Sequence, residues 1–388
     1  MVNHNEFDVV IAGCGFAGLY LAQSLSKKYS VCVIEQNNKI AGPLNTTGST
    51  MYNGVDDIFT LFNIPKNTII NYYNSIEIIS QNNKAVSPPN SFPWVLLDIP
   101  KLKEEIYKKF TSSVTVFLGH KVVDIIKGDG KYNGVEVIEL DTGNHKKIIG
   151  KIFVDCTGSN VALASKTGLR TPKHLARCFQ VDANISQPID NSHIKVFLGF
   201  DFCPAGYAYI FPISKNRVRI GICGTPGLSK IKFSIEELFS KFISYTKLEL
   251  SNISNELNLN AFTGGITKNN SHLNLIILGD AAGYISPILG EGIRFSFHSA
   301  DIASKLIEES LIENNTQSLR KFFSIWKKRF GSRFSNAYLM QLSYVNISNQ
   351  KIDTFVKKLN IILLKDEKYL FRMIATKFRI YDIIKIFI

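Results

Sequence analysis

Residues 7–12, FDVVIA, form an unbroken apolar run that gives way at once to a glycine-rich turn. A short apolar run bounded by turn residues predicts a buried strand. LYLAQSLSKKYS (19–30) then carries apolar positions at helical spacing, and VCVIE (31–35) is a second buried run. The three together predict a βαβ unit with short links. Farther on, the pattern predicts a short helix in VDDIFTLFNI, strands across 74–99 and a helix over 101–110. VTVFLGHKVVDIIK, GVEVIELD and KKIIGKIFVDCTG follow as a run of strands. From about 170 to 262 the period changes. RCFQVDANI, IKVFLGF, GYAYIFPIS and RVRIGICG are short alternating segments, which predicts an antiparallel sheet. After a helix at about 234–248, LNLIILGD returns to a buried strand, and 293–388 reads as mostly helical.

These periods predict an α/β fold. A discontinuous Rossmann-like domain (1–168 and 266–315) carries an inserted antiparallel-sheet domain (169–265) and a C-terminal helical region (316–388). With 388 residues, 45% of them hydrophobic and 20% charged, the chain has ample material for such cores.

Three glycines, Gly13, Gly15 and Gly18, fall between the first strand and its helix, and Glu35 closes the second strand. That order is the dinucleotide fingerprint. Gly13 makes the turn, Gly15 lets a pyrophosphate approach, and Gly18 lets helix and strand pack, with Phe16 and Ala17 counted among the cofactor contacts. The helix N-terminus offers free N–H groups to phosphates, and Glu35 is placed to accept from ribose hydroxyls. A second motif separates FAD from NAD. IILGDAAG (276–283) is a strand ending in Gly279-Asp280, followed by SPILGEGI (286–293), which opens a helix. A long flavin nucleotide uses such a distant strand end: Asp280 for ribityl hydroxyls, and the backbone of Gly290, Glu291, Gly292 and Ile293 for the flavin's pyrimidine edge. VDCTGSN (154–160) adds Gly158 beside the first motif. FAD is therefore the expected cofactor.

The formal charge of +13 favours anionic partners, but its lysines and arginines are dispersed and argue against nucleic acid. Six cysteines at 14, 32, 156, 178, 203 and 223 show neither CxxC nor Cys/His spacing, so no metal is expected. Cys14, Cys32 and Cys156 sit in apolar contexts where Cys is a small buried hydrophobe, which suggests the reducing cytosol of a cytoplasmic protein. No run of about 18 apolar residues is present. The tail KDEKYLFRMIATKFRIYDIIKIFI (365–388) mixes aromatic, aliphatic and basic residues, a composition suited to peripheral contact with an anionic membrane.

DVVIAGCGFAG, SFPWVLLD, FLGFDFCPAGYAYIFPISKNRVRIGI and GDAAGYISPILGEGI together resemble the two-dinucleotide-domain flavoproteins that share the para-hydroxybenzoate hydroxylase fold. More narrowly they resemble the geranylgeranyl reductase family, particularly its archaeal members. The resemblance implies a reductase that uses reduced FAD to saturate isolated double bonds of isoprenoid chains in lipids or quinones. It also implies an external electron donor, NAD(P)H or ferredoxin. It makes Gly13, Gly15, Gly18, Glu35, Asp280 and Gly290–Gly292 cofactor contacts, and Trp94, Tyr207 and Tyr209 pocket residues, to which Phe211 and Pro287 are added by position. Two departures stand out. Members commonly carry a cysteine among glycines where this chain reads GPLNTTGST (42–50), and an arginine near Ile99 and Lys101.

An isolated alkene accepts hydride only as it is protonated, so a carbocation-like centre develops, and aromatic faces stabilise it. Phe197, Phe200, Phe202, Tyr207, Tyr209 and Phe211 crowd the expected substrate sheet. Tyr207 and Tyr209, two apart on one strand, share a face and are the candidate proton donors. Two rivals stay open at this level: a flavin monooxygenase of the same fold, and a flavin-binding homologue without turnover.

Overall fold

The structure is a computed structural model and describes residues 6–54, 56–169, 171–263, 269–367, 369 and 370. Glu6–Ala12 lies at the centre of the first sheet, parallel to Val31–Ile34 on one side and to His145–Asp155 on the other. Val114–Phe117 and Leu275–Ile277 extend the sheet in parallel outwards. Val9–Ala12 is wholly buried because helices cover one face and the Tyr132–Glu139 meander the other. The helix Phe16–Leu25 packs along Ile293–Ile312, so the two glycine-rich turns that open these helices end up side by side.

The second sheet runs in the order 250–262, 175–185, 217–224, 206–214, 193–198, 75–79, 84–86. All pairs are antiparallel except His193–Leu198 with Ser75–Ile79. This parallel join brings 75–86 into the second sheet from the first half of the chain. Alternation sorts the strand Gly206–Ser214 by face. Ala208 and Ile210 pack with Ile235, Leu238 and Phe242 of the helix Ile235–Thr246. Tyr209 and Phe211 face the opposite core, which the helix Asn349–Lys365 closes with Ile352, Val356 and Leu359. Phe197 and Phe202 turn to the helix side against Phe242 (centroids 4.9 and 6.4 Å), so these two expected pocket aromatics are ordinary core.

Two further expectations change. The segment 57–64 supplies only one helical turn, Ile58–Leu61, capped by Asp57. Cys178 and Cys223, expected to stay unbridged in a reducing cytosol, form a disulfide between adjacent strands, while Cys14, Cys32, Cys156 and Cys203 are buried and unbridged. The pairing comes from strand register, which sets Cys178 opposite Cys223. Most of the proposed membrane tail, 371–388, lies outside the described residues. Among the described residues, no helix is long and apolar enough to cross a membrane.

A buried ion network joins the helical region to the rest. Asp56 meets Arg333, Arg329 at 3.5 Å and Arg294 at 3.9 Å. Burial alone would raise its carboxyl pKa, but the bond and charge of Arg333, then His298 and Arg294, hold it below the usual value. Asp56→Ala leaves these cations without their shared anion. Arg294 keeps Glu291 and Arg329 is exposed, so urea unfolding should show a loss of about 1–3 kcal/mol, the range for a lost charged hydrogen bond.

Candidate active site

The two glycine-rich turns frame one groove, with a volume of ≈ 450 Å³. At its floor Gly13 has φ +96, and a Cβ there would press on the Cys156 carbonyl. Gly18 lies behind the groove, where a Cβ would strike the Gly13 carbonyl, so its role is packing. Gly15 caps the helix and has nothing within 4 Å of a Cβ position: the space in front of it is open. Gly158 (φ +62) is equally open. Phe16 and Ala17 line the groove, though the Phe16 ring stacks inward on Phe297 at 5.8 Å. Glu35 stands at the far end, accepting from the Cys14 N–H (2.8 Å) and from Asn37. Gly279, with φ +60, nestles against Ala17 and Ser296, a position that disfavours any side chain.

Two residues at or behind this groove escaped sequence reading. Asp155, fully buried, accepts from the backbone N–H groups of Thr157, Leu163 and Ala164 and from the Thr157 hydroxyl, fixing the turn that carries Gly158. Lys103 sits in KLKEEIYKK, which reads as a solvated helix face, yet it is 4% exposed and reaches the groove. Burial pulls its ammonium pKa down, against the pull of Cys14 and Glu35, and it makes no ion pair among the described residues. Asp280 is the reverse case. Its carboxylate has no hydrogen-bond donor among the described residues, and burial pushes its pKa up to about 6. A buried cation and a half-buried carboxylate, neither hydrogen-bonded among the described residues, flank open space above Gly15 and Gly158. A dinucleotide fits this donor and acceptor set: phosphates for Lys103 and the helix N-terminus, sugar hydroxyls for Asp280.

Glu291 is expected to contribute its backbone, and its side chain lies elsewhere. Its carboxylate points away from the groove, accepting from Thr50 Oγ1 (2.6 Å) and Arg294 Nη2 (2.8 Å). What Gly290, Gly292 and Ile293 offer the groove is mainly backbone, at the start of the helix Ile293–Ile312.

A second cavity, ≈ 210 Å³, opens beside the first. Its walls are apolar: Ile76, Ile78, Trp94, Tyr209, Phe211 and Leu289 are among them, with Pro287 at the turn. The two cavities share the segment Thr46–Thr47, the Gly290–Ile293 turn, Thr263, and both Cys178 and Cys223. The sheet face here is laid out in rows. Cys178, Cys223 and Tyr207 stand side by side, then Gln180, Gly221 and Tyr209, then Asp182, Arg219 and Phe211. A Cβ on Gly221 would lie 2.5 Å from the Tyr209 hydroxyl, so glycine lets that ring lean across to Gln180. Both tyrosine hydroxyls are engaged as donors, Tyr207 to the Leu289 carbonyl (2.5 Å) and Tyr209 to Gln180 Oε1 (2.8 Å). Burial raises both phenols, Tyr209 to about 12. The expectation that either hydroxyl protonates substrate directly is therefore revised: that proton is already committed, and held tightly.

Two family models match the chain. One described as pyridine nucleotide-disulphide oxidoreductase covers residues 7–196, and one described as the geranylgeranyl reductase catalytic domain covers 175–266. Together the two matches support a geranylgeranyl reductase-type FAD-dependent oxidoreductase. A digeranylgeranylglycerophospholipid reductase of Methanococcoides burtonii is 23% identical over 90% of this chain and 86% of its own length. A protein of that description from Methanococcus vannielii is 22% identical over 88% and 86%. Among solved structures, a geranylgeranyl bacteriochlorophyll reductase-like protein of Thermoplasma acidophilum superposes with a TM-score of 0.82 at 18% identity, covering 94% of this chain and 97% of its own. The fold is also that of a myxobacterial FAD-dependent halogenase, TM-score 0.66, 14% identical, covering 94% and 91%. FAD is the cofactor of this oxidoreductase.

FAD released by heating the purified protein should be identified by chromatography, and Gly15→Val or Lys103→Met should lower its recovery. The elevated Asp280 pKa gives a signed expectation. Between its ordinary 3.8 and about 6, the empty site keeps a proton that an exposed carboxyl would lose. Hydroxyl donors stabilise the carboxylate, so loading the groove expels that proton, and FAD affinity should rise as pH climbs through about 6. Asp280→Asn should flatten this dependence and weaken binding at neutral pH by about 1.5–3 kcal/mol, read by fluorescence titration.

Proposed function

We propose that this protein hydrogenates isolated double bonds in the geranylgeranyl chains of a membrane lipid. The observation that carries the reading is the apolar, aromatic-walled cavity opening onto the cofactor groove along Thr46–Thr47 and Gly290–Ile293. The catalytic-domain match and the two named archaeal reductases support it. FAD, when bound and reduced, supplies the hydride. Gly13, Gly15, Gly158, Glu35, Lys103 and Asp280 hold the nucleotide, and the 290–293 backbone meets the flavin. The electrons come from an external donor, NAD(P)H or ferredoxin, and the lipid is met at the membrane surface.

The chain's own residues do the rest. A prenyl chain is held by burial, worth about 0.8 kcal/mol per methylene. Trp94, Phe92 and the row Tyr207, Tyr209, Phe211 wall the cavity, with successive centroids of that row 6.0 and 5.2 Å apart. Ring faces at this spacing stabilise positive charge as hydride reaches one alkene carbon and a proton the other. The Tyr207 hydroxyl ties the sheet to Leu289, and the Tyr209 hydroxyl, also 3.3 Å from Thr47 Oγ1, ties it to the shared segment. Both bonds position the wall rather than deliver protons.

Anaerobically photoreduced enzyme mixed with geranylgeranylglycerophospholipid should reoxidise in a single turnover, and mass spectrometry should find two added hydrogens per double bond. A lipid of unchanged mass overturns the reading, as does an aromatic substrate that drives stoichiometric oxygen uptake. Gly221→Ala, which displaces the Tyr209 hydroxyl from Gln180, should lower kcat/KM about tenfold, the equivalent of one lost hydrogen bond.

A further inference from the structure

The reductase reading leaves the proton without a source. We propose that the Cys178–Cys223 pair supplies it in the dithiol form, and that the disulfide is the switched-off state. The proposal rests on the reductase reading above.

Position comes first. The two cysteines face each other across adjacent strands, with Cα atoms 4.1 Å apart, and both line the wall common to the cofactor groove and the apolar cavity. Cys223 is also opposite Tyr207 in the neighbouring pair of strands. A prenyl chain reaching the flavin end of the cavity passes this row. Competition comes second. Of the other acids on the cavity wall, Tyr207 and Tyr209 have their protons bound to Leu289 and Gln180, and Tyr344, which accepts from the Gly199 N–H, lines the cavity and not the groove and is made a weaker acid by burial. Glu291 is ion-paired to Arg294 and accepts from Thr50. Asp280 lines the groove and not the cavity. Thr46, Thr47, Thr225 and Thr263 carry only alcohol protons, far weaker acids than a thiol. The dithiol is the strongest acid left at the junction.

The step balances simply. The alkene takes hydride at one carbon. Its π pair takes the cysteine proton at the other, so a C–H bond forms as S–H breaks. The thiolate is reprotonated by water, and the pair's oxidation state is unchanged over the cycle. In the disulfide no S–H exists, so the alkene is not protonated and hydride does not transfer. A small dithiol restores the pair by thiol–disulfide exchange, two electrons and two protons passing to the cysteines as the reductant itself becomes a disulfide. Reductase turnover is thereby tied to the thiol poise of its surroundings.

The test needs no substitution at first. Peptide mapping of air-isolated protein without reductant should find the 175–185 and 217–224 segments cross-linked, and dithiothreitol should free both thiols. Geranylgeranylglycerophospholipid should slow iodoacetamide labelling of the freed thiols at least tenfold. In anaerobic single turnover, dithiol enzyme should reoxidise with lipid, and disulfide enzyme at least a hundredfold more slowly. Cys178→Ala and Cys223→Ala then identify which thiol gives the proton. The donor's loss should slow chemistry to the disulfide level with lipid affinity unchanged. Equal rates in disulfide, dithiol and doubly substituted protein overturn the proton source while leaving the reductase standing. Labelling indifferent to lipid places the thiols off the chain's path and overturns it independently. If dithiol enzyme never alters the lipid, both readings fall together.

Discussion

Arg219 holds the two cavities in register. It lies in the middle of the second sheet, 3% exposed, and binds Asp182 through two bonds, Nε to Oδ1 at 2.7 Å and Nη2 to Oδ2 at 2.9 Å. Its remaining arm donates to the Thr47 carbonyl at 2.6 Å. A buried pair of this kind contributes little net stability, because desolvation offsets its attraction, but it tolerates no loss of either partner. Its value here is positional. Thr46 and Thr47 line both cavities, and Gly48, with φ +80, puts its Cα close enough that a Cβ would lie 3.1 Å from Nη1. The segment between the two sheets is thus fixed to the substrate side by a guanidinium, and where groove meets cavity follows from that bond.

The same sheet face is graded across its width. On strands 175–185 and 217–224 it carries the disulfide, Gln180 and the Asp182–Arg219 pair, on 206–214 three aromatic rings, and on 193–198 and 75–79 aliphatic side chains such as Val196, Ile194, Ile76 and Ile78. Polar groups gather where the cofactor groove lies, and apolar ones where a lipid chain can be buried. The gradient exists because the parallel join of 193–198 with 75–79 adds aliphatic strands to an antiparallel sheet that would otherwise end at a half-buried edge.

What was legible in the sequence was whatever a local pattern encodes. The glycine turn, the strand that precedes it, Glu35 and the Gly279–Asp280 strand end announce themselves because backbone approach and strand burial leave marks within a few residues. The alternation in 206–214 likewise placed Tyr207, Tyr209 and Phe211 on one face. The rest depends on register between distant strands. Cys178 and Cys223 are 45 positions apart and meet only because their strands pair without a slip between them. Phe197 and Phe202 carry the same residue-type signal as Phe211, yet a helix covers their side of the sheet. Lys103 hides in a charged helix, since a groove-facing lysine and a solvated one have the same sequence signature. The motif points to the backbone of Glu291, but that its side chain pairs with Thr50 and Arg294 depends on tertiary packing.

That last point has an electrostatic consequence. A carboxylate pointing from the 290–293 turn into the groove would oppose the negative charge that reduced flavin gathers at its pyrimidine edge. Arg294 and Thr50 turn Glu291 inward and neutralise it at 2% side-chain exposure, and Arg294 in turn reaches Asp56. At this turn the groove meets the N–H groups and partial positive charge at the start of a 20-residue helix, with the Asp280 carboxylate beside Gly292. The ion network behind the turn and the dipole in front of it are two sides of one arrangement. The acid is stored where it stabilises the fold, and the backbone faces where charge will appear.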